Sequence, residues 1–186
     1  MLTNGATFSS RPDVYVGGTV TNLYKWQGSQ FFPYGLASDH SATGTLVVAV
    51  ADVTLRRNLV LGMDGFGIVR REGSQGTFTT GNLVCTNLVE AAYTGSRLDF
   101  VLDANGIGAL NVTNAVSIFG NASVVIDMSA YTGRKSSIKL IGCKSHTGDF
   151  DSVEITGART GFALQTEWTS NGFYLRMNTG TMLILR

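Results

Sequence analysis

Proline, cysteine and histidine each occur only twice in the 186 residues, and charged residues make up only 15% of the chain. Collagen and proline-rich linkers are excluded because both need abundant proline. Fourteen basic and thirteen acidic residues leave a formal charge of +1, so no strong positive field is available for a nucleic-acid partner. Disorder is excluded because it needs low hydrophobicity, whereas the mean hydropathy is +0.14.

Long apolar runs are also absent. No stretch reaches the ~18 consecutive apolar residues that a membrane helix needs. Residues 1–10 lack the basic and apolar regions of a secretory signal. The sequence therefore predicts no membrane span.

Glycine is abundant instead, with 23 residues. Helical periodicity is almost absent, apart from an ambiguous stretch near 88–92. Short runs rich in Val, Ile, Leu, Thr and Phe are separated by turn signals such as Asn105-Gly106 and Gly120-Asn121. We predict one all-β domain over 1–186, or one segment of a longer chain, with strands at 14–20, 45–50, 58–61, 66–70, 76–80, 98–102, 115–118, 123–126, 137–141, 151–155, 173–177 and 181–185.

A repeat of 24 residues links three aspartates. The residues Phe100-Val101-Leu102-Asp103 return as Val124-Val125-Ile126-Asp127, and Gly148-Asp149-Phe150-Asp151 is a looser third copy. This period suits one coil of a β-helix that contains two or three short strands. On this interpretation the three aspartates stack in a column.

The sequence around these copies carries a resemblance to a known group. Residues 99–112 read DFVLDANGIGALNV, residues 122–133 read ASVVIDMSAYTG and residues 148–157 read GDFDSVEITG. They resemble the C-terminal β-solenoid coils of secreted and surface proteins with autotransporter-associated and PEP-CTERM-type β-strand repeats. The resemblance implies a right-handed parallel β-solenoid (β-helix), an extracellular or cell-surface location and a structural or adhesive role. From the strand pattern alone, a β-sandwich or jelly roll is the alternative.

The aspartates are also the candidate metal site. Clustered carboxylates bind Ca²⁺, or act as acid and base in enzymes that cleave polysaccharides. Each aspartate, however, follows an aliphatic strand and precedes a turn, where a carboxylate accepts backbone N–H hydrogen bonds. The sequence favours this turn role, with calcium as the one candidate cofactor and its ligands at Asp103, Asp127 and Asp151.

Catalytic patterns are missing around the other reactive residues. His40 and His146 are isolated and give neither a catalytic triad nor a zinc ligand set. Cys85 and Cys143 lie in apolar strand contexts and are predicted to be buried thiols, with a disulfide as the alternative. Basic pairs such as Arg70-Arg71 are predicted to lie in solvated turns. We predict that the chain is not an enzyme, with a polysaccharide lyase or hydrolase as the runner-up.

The region 1–44 is predicted to be an atypical, aromatic-rich cap. Five aromatic residues fall within eleven positions, and i, i+2 spacing on a strand places two rings on one side, where they could stack on a sugar. Burial in a cap or at a subunit interface is favoured over sugar binding. The predicted binding or interface residues are Tyr24, Trp26, Phe31, Phe32 and Tyr34.

The predicted final strand, 181–185, carries neither charge nor proline. Natural proteins normally protect strand edges with such residues. Head-to-tail contact through an unprotected edge produces fibres. We therefore predict a homo-oligomer or polymer that serves as an extracellular structural or adhesive protein, with polysaccharide binding as the alternative and with further interface residues at Leu183, Ile184 and Leu185.

Overall fold

The structure is a computed structural model, and it describes residues 7–11, 13–17, 20–27, 30–38, 43–63, 65–86 and 95–179. These residues form seventeen strands and no helix. Accordingly, no helix with the length and hydropathy to cross a membrane is found in this part of the chain. The predicted all-β class is confirmed.

The strands, numbered in chain order, form three sheets. The five-stranded sheet contains β5 (Thr43–Ala49), β7 (Phe66–Glu72), β9 (Gly95–Val101), β12 (Ala122–Asp127) and β15 (Ser152–Thr156). A separate hairpin consists of β3 (Val20–Gln27) and β4 (Gln30–Ser38). The ten-stranded sheet contains β1 (Thr7–Ser10), β2 (Val14–Val16), β6 (Asp52–Leu61), β8 (Phe78–Cys85), β10 (Leu110–Val112), β11 (Ala115–Ile118), β13 (Ser137–Gly142), β14 (Ser145–Thr147), β16 (Phe162–Thr169) and β17 (Gly172–Thr179).

From β5 to β15 the chain alternates between the two large sheets. The strands β5, β7, β9, β12 and β15 are neighbours in one sheet, and the intervening strands are neighbours in the other. All pairings within this stretch are parallel. Parallel pairing does not fit the β-sandwich or jelly-roll alternative, because those folds are built from antiparallel strands.

The core is formed by alternate side chains of these strands. In β12, Ala122, Val124 and Ile126 are buried, whereas the residues between them are half-buried. The parallel register places equivalent side chains side by side, since Val124 pairs with Leu98 and Leu98 with Val69. Each row of aliphatic side chains therefore runs across several strands of the sheet.

The register corrects the predicted 24-residue period. Ile126 pairs with Phe100, 26 residues earlier, and Ser152 pairs with Ser123, 29 residues earlier. The turns between strands differ in length, so the same strand position recurs at unequal intervals. Asp127 consequently pairs with Val101 and not with Asp103, and the predicted column of three aspartates is wrong.

Glycine ends one strand earlier than predicted. The predicted strand 14–20 stops at Val16 because Gly17 turns the chain with a φ of +91°. A Cβ atom on Gly17 would lie 2.4 Å from the backbone nitrogen of Gly67, so only glycine fits this close approach. Gly81, predicted to be a turn residue, lies instead within β8.

The predicted strands differ from the observed ones in two further respects. The strands β1, β3, β4, β10, β14 and β16 were not among those predicted. The predicted strand at 181–185, with Leu183, Ile184 and Leu185, and the ambiguous stretch at 88–92 lie outside the described residues.

The last two strands add antiparallel pairs to the otherwise parallel ten-stranded sheet. β17 pairs antiparallel with β13, and β16 pairs antiparallel with β17. The hairpin extends the ten-stranded sheet by two strands, with β16 as its outermost strand. The five-stranded sheet has no equivalent extension in the described residues and ends at β15.

Among the described residues, Arg71 is the largest fully buried side chain, with 1% exposure. It lies in β7, where every second side chain faces the core, so the predicted solvated turn is wrong at this position. Its Nη2 donates hydrogen bonds to the carbonyl oxygens of Gln75 (2.6 Å) and Gly76 (2.8 Å). Its Nε donates to Gly108 (3.1 Å) and its Nη1 to Val48 (3.4 Å). Burial lowers the pKa of Arg71 from its ordinary value.

Arg71→Met should lower the free energy of unfolding by about 3 kcal/mol, because buried carbonyls that lose their donor each cost about 1–3 kcal/mol. The neighbouring Arg70→Met is the matched control, since Arg70 is partly exposed and pairs with Glu72 at the surface. An exposed pair of this kind contributes about 0–1 kcal/mol. Urea unfolding of both variants measures the difference, and equal losses would contradict the role assigned to Arg71.

Candidate functional site

Asp103 binds two turns at once. Its Oδ2 accepts hydrogen bonds from the backbone nitrogen and the hydroxyl of Ser74, both at 2.7 Å. Its Oδ1 accepts from the backbone nitrogens of Asn105 (2.8 Å) and Gly106 (3.0 Å), which belong to its own turn. Ser74 precedes Asp103 by 29 residues, so this carboxylate joins turns that follow neighbouring strands of the same sheet.

The other two predicted ligands are held in the same manner. Asp127 Oδ1 accepts from the backbone nitrogen of Ser129 at 2.9 Å. Asp151 Oδ2 accepts from the backbone nitrogen of Ala122 at 2.8 Å. All three aspartates thus accept backbone N–H hydrogen bonds. The predicted turn role is confirmed for Asp103 and Asp127, whereas Asp151 directly precedes β15 and binds the first residue of β12.

The structure does not bring the three aspartates together as a ligand set. Within the described ranges, no group of three or more His, Cys, Asp or Glu side chains could hold a metal ion. The strand register keeps the three aspartates apart. Asp127 pairs with Val101 and therefore does not lie beside Asp103. Asp151 binds Ala122, which pairs with Ser96. Calcium binding at Asp103, Asp127 and Asp151 stays a prediction without geometric support.

Hydrogen bonds lower the pKa of Asp103 and of Asp127. Burial alone would raise the pKa of Asp103, but the hydrogen bonds from Ser74, Asn105 and Gly106 outweigh it and the pKa lies below its usual value. The pKa of Asp127 is lowered mainly by its hydrogen bonds with Ser129. A carboxyl group with a lowered pKa is a poor general acid at neutral pH.

A charged surface that was not predicted covers the outer face of the five-stranded sheet. Arg97 binds Asp99 with two hydrogen bonds, Nε to Oδ1 at 2.7 Å and Nη2 to Oδ2 at 3.0 Å. In the neighbouring strand β7, Arg70 pairs with Glu72. A shallow depression of about 270 Å³ lies over Arg70, Arg97 and Asp99, and Asp127 and Glu154 also line it.

The charges on this face bind mainly to each other. Asp99 is only 5% exposed, and a buried carboxylate needs a paired cation such as Arg97. The sequence does contain the signal for these pairs, because Arg70 with Glu72 and Arg97 with Asp99 are two residues apart and alternate residues of a strand share a face. The surface is therefore a set of ion pairs that stabilises the sheet, and no nucleophile with a bound base occurs among its residues.

The predicted aromatic surface is described only for its backbone. The strands β3 and β4 form an antiparallel hairpin in which Trp26 pairs with Phe31, Lys25 with Phe32 and Tyr24 with Pro33. The extended backbone that the prediction required is present. The side chains of Tyr24, Trp26, Phe31, Phe32 and Tyr34 lie outside what the structure describes.

Both cysteines are free thiols. Cys85 is fully buried in β8 and pairs with Leu61 and Ile118 in the adjacent strands. Burial raises the pKa of Cys85 to about 12. The predicted buried thiol is confirmed for Cys85, whereas Cys143 is only half-buried.

Comparison with known proteins gives no match to a protein-family model, to a curated protein or to a solved structure.

Asp103→Asn should lower the free energy of unfolding at pH 7 by about 1.5–3 kcal/mol, the usual range for hydrogen bonds to charged groups. Because the pKa of Asp103 is lower in the folded state, its contribution is complete above the unfolded pKa of ~3.9 and is lost as pH falls through the folded value. In urea unfolding between pH 7 and pH 3, the free energy of unfolding should therefore fall less steeply with decreasing pH in the variant than in the unsubstituted protein. Asp127→Asn, which removes a contact within one turn, should cost less; the opposite order would contradict this account.

Proposed function

We propose that the chain is a right-handed parallel β-solenoid that serves as a structural protein of the extracellular space or cell surface. The observation that carries the proposal is the alternation of successive strands between two parallel sheets. In a solenoid, each passage through both sheets is one coil, and each coil contacts only its neighbours. Such a coil provides length and surface, which are the properties that a structural or adhesive protein uses.

Side-chain hydrogen bonds between neighbouring strands support a structural role. Asn82 Nδ2 donates to Asn58 Oδ1 at 2.8 Å, across two adjacent parallel strands. Asp52 Oδ1 accepts from both the backbone nitrogen and the hydroxyl of Thr77 at 2.8 Å. With Asp103 and Ser74, these contacts use polar groups to join successive turns and leave them unavailable for chemistry.

The outermost strands support assembly into a polymer or a longer stack. In the described residues, β5 and β15 each have one paired neighbour, and so do β1 and β16. β1 and β5 carry neither charge nor proline. An unprotected edge offers N–H and C=O groups to a strand of another chain. The antiparallel hairpin moves the edge of its sheet from β13 to β16 and does not remove it.

Assembly should depend on these edges. We expect the full chain to form concentration-dependent oligomers or fibres in sedimentation and negative-stain electron microscopy. Thr45→Lys combined with Ala163→Lys places a charge on an exposed position of β5 and of β16, and should abolish assembly. Thr160→Lys with Ser170→Lys adds the same charge in exposed turns and should leave assembly intact. A chain that stays monomeric at every concentration would contradict the proposed assembly into a polymer.

The proposed role is not enzymatic. Incubation with acidic and neutral polysaccharides, with and without Ca²⁺, should release no reducing or unsaturated ends. Two observations support this proposal. Glu72, Asp99 and Glu167 are held in ion pairs, and Asp103 and Asp127 accept turn hydrogen bonds. Cleavage that is lost in Asp127→Asn but kept in Asp151→Asn would instead establish the polysaccharide lyase or hydrolase.

A further inference from the structure

A slot lies beside the C-terminal hairpin, between β15 and the strands β16 and β17. Its volume is about 510 Å³, within the usual range of small-ligand sites. It is distinct from the charged outer face of the five-stranded sheet and from the three aspartates. Its lining includes His146, Asp149, Phe150, Thr166, Glu167 and Trp168.

Aromatic rings form one wall of the slot. His146 stacks on Trp168 with a centroid distance of 4.2 Å and an interplanar angle of 8°. Trp168 also contacts Phe173 at 4.9 Å, and Phe150 contacts Phe173 edge-on at 5.2 Å. Phe173 is buried, while His146, Phe150 and Trp168 are half-buried. Phe173 therefore anchors the cluster in the core, and the other three rings expose part of their surface to the slot.

Regular strands hold these rings in place. Trp168 in β16 pairs directly with Phe173 in β17, and His146 in β14 pairs with Val116 in β11. Side chains on paired strands are held more precisely than side chains on loops. The aromatic wall is therefore preformed, and a ligand would lose little free energy in ordering it.

The polar lining of the slot includes an exposed carboxylate. Asp149 is exposed, and neither Lys nor Arg occurs among the described residues that line the slot. Glu167 lies between Thr166 and Trp168 in β16, so its side chain points to the opposite face of the strand, where Oε1 accepts from Arg176 Nε at 2.7 Å. Thr166 adds a hydroxyl group. Acceptors beside an aromatic wall suit a ligand that presents both C–H faces and hydroxyl or amine donors.

We propose that this slot binds a saccharide chain without acidic groups. Its pyranose C–H faces lie against the ring surface of Trp168 and Phe150 that faces the slot, and its hydroxyl or amino groups donate to Asp149. The Asp149 carboxylate repels uronic acids, and the described lining offers no Lys or Arg to pair with them, so neutral and amino sugars bind and acidic ones do not. The proposal is independent of the structural role and of the aromatic hairpin near the N-terminus.

The chain contains two tryptophans, which gives the test its design. Trp26→Phe leaves Trp168 as the single indole fluorophore, and Trp168→Phe leaves Trp26. Each variant is titrated with cellohexaose, chitosan hexamer and hexagalacturonate, and circular dichroism checks that both fold. We expect saturable changes in emission with the first two sugars in Trp26→Phe, none with hexagalacturonate, and no change with any sugar in Trp168→Phe.

Two charge variants complete the test in the Trp26→Phe background. Asp149→Asn should weaken binding of chitosan hexamer about tenfold. Glu154→Gln removes an exposed carboxylate outside the slot and should leave binding unchanged. The proposal is overturned by a flat titration of Trp26→Phe with all three sugars, or by tighter binding of hexagalacturonate than of cellohexaose. Saturable binding seen only in Trp168→Phe would place the sugar at the N-terminal aromatic hairpin and equally overturn it.

Discussion

The need to compensate the buried charge of Arg71 constrains how the turns around it are arranged. Its guanidinium binds carbonyl oxygens of Gln75, Gly76 and Gly108, which lie in two different turns, and of Val48 at the end of β5. A buried cation without such partners would cost several kcal/mol. A Cβ atom on Gly108 would lie 2.4 Å from Nη2, so the carbonyl can approach only because this residue is glycine.

The turn at 73–77 is held from three directions. Arg71 binds its carbonyl groups, Asp103 binds Ser74 from one neighbouring turn, and Asp52 binds Thr77 from the other side. The same two carboxylates favour the charged form of Arg71, although neither touches it in an ion pair. Backbone carbonyls thus supply the hydrogen bonds while Asp52 and Asp103 supply the opposite charge. This division explains how a parallel stack can bury an arginine and still satisfy its polar groups.

The class and many strands could be predicted from the sequence because alternation and glycine turns are local signals. The register could not, since turn lengths vary: Phe100 pairs with Ile126, although the most similar sequence lies at Val124. The prediction for Arg71 was wrong because two consecutive arginines indicate a solvated turn unless it is known which alternate residues of the strand face the core. His146 was judged isolated because its stacking partner, Trp168, is 22 residues away in a strand that local patterns did not reveal.

The slot at the C-terminal hairpin is a consequence of topology. Because β17 and β16 extend only the ten-stranded sheet, the opposite sheet stops at β15 and its core-facing Val153 is 37% exposed. The hairpin turns Phe173, Leu175 and Met177 inward, and these are buried, so they close most of the core end. The aromatic cluster stands where that closure is incomplete. A sheet that ended in register with its partner would leave a flat end, whereas this mismatch creates a concave surface with one aromatic wall and the carboxylate of Asp149.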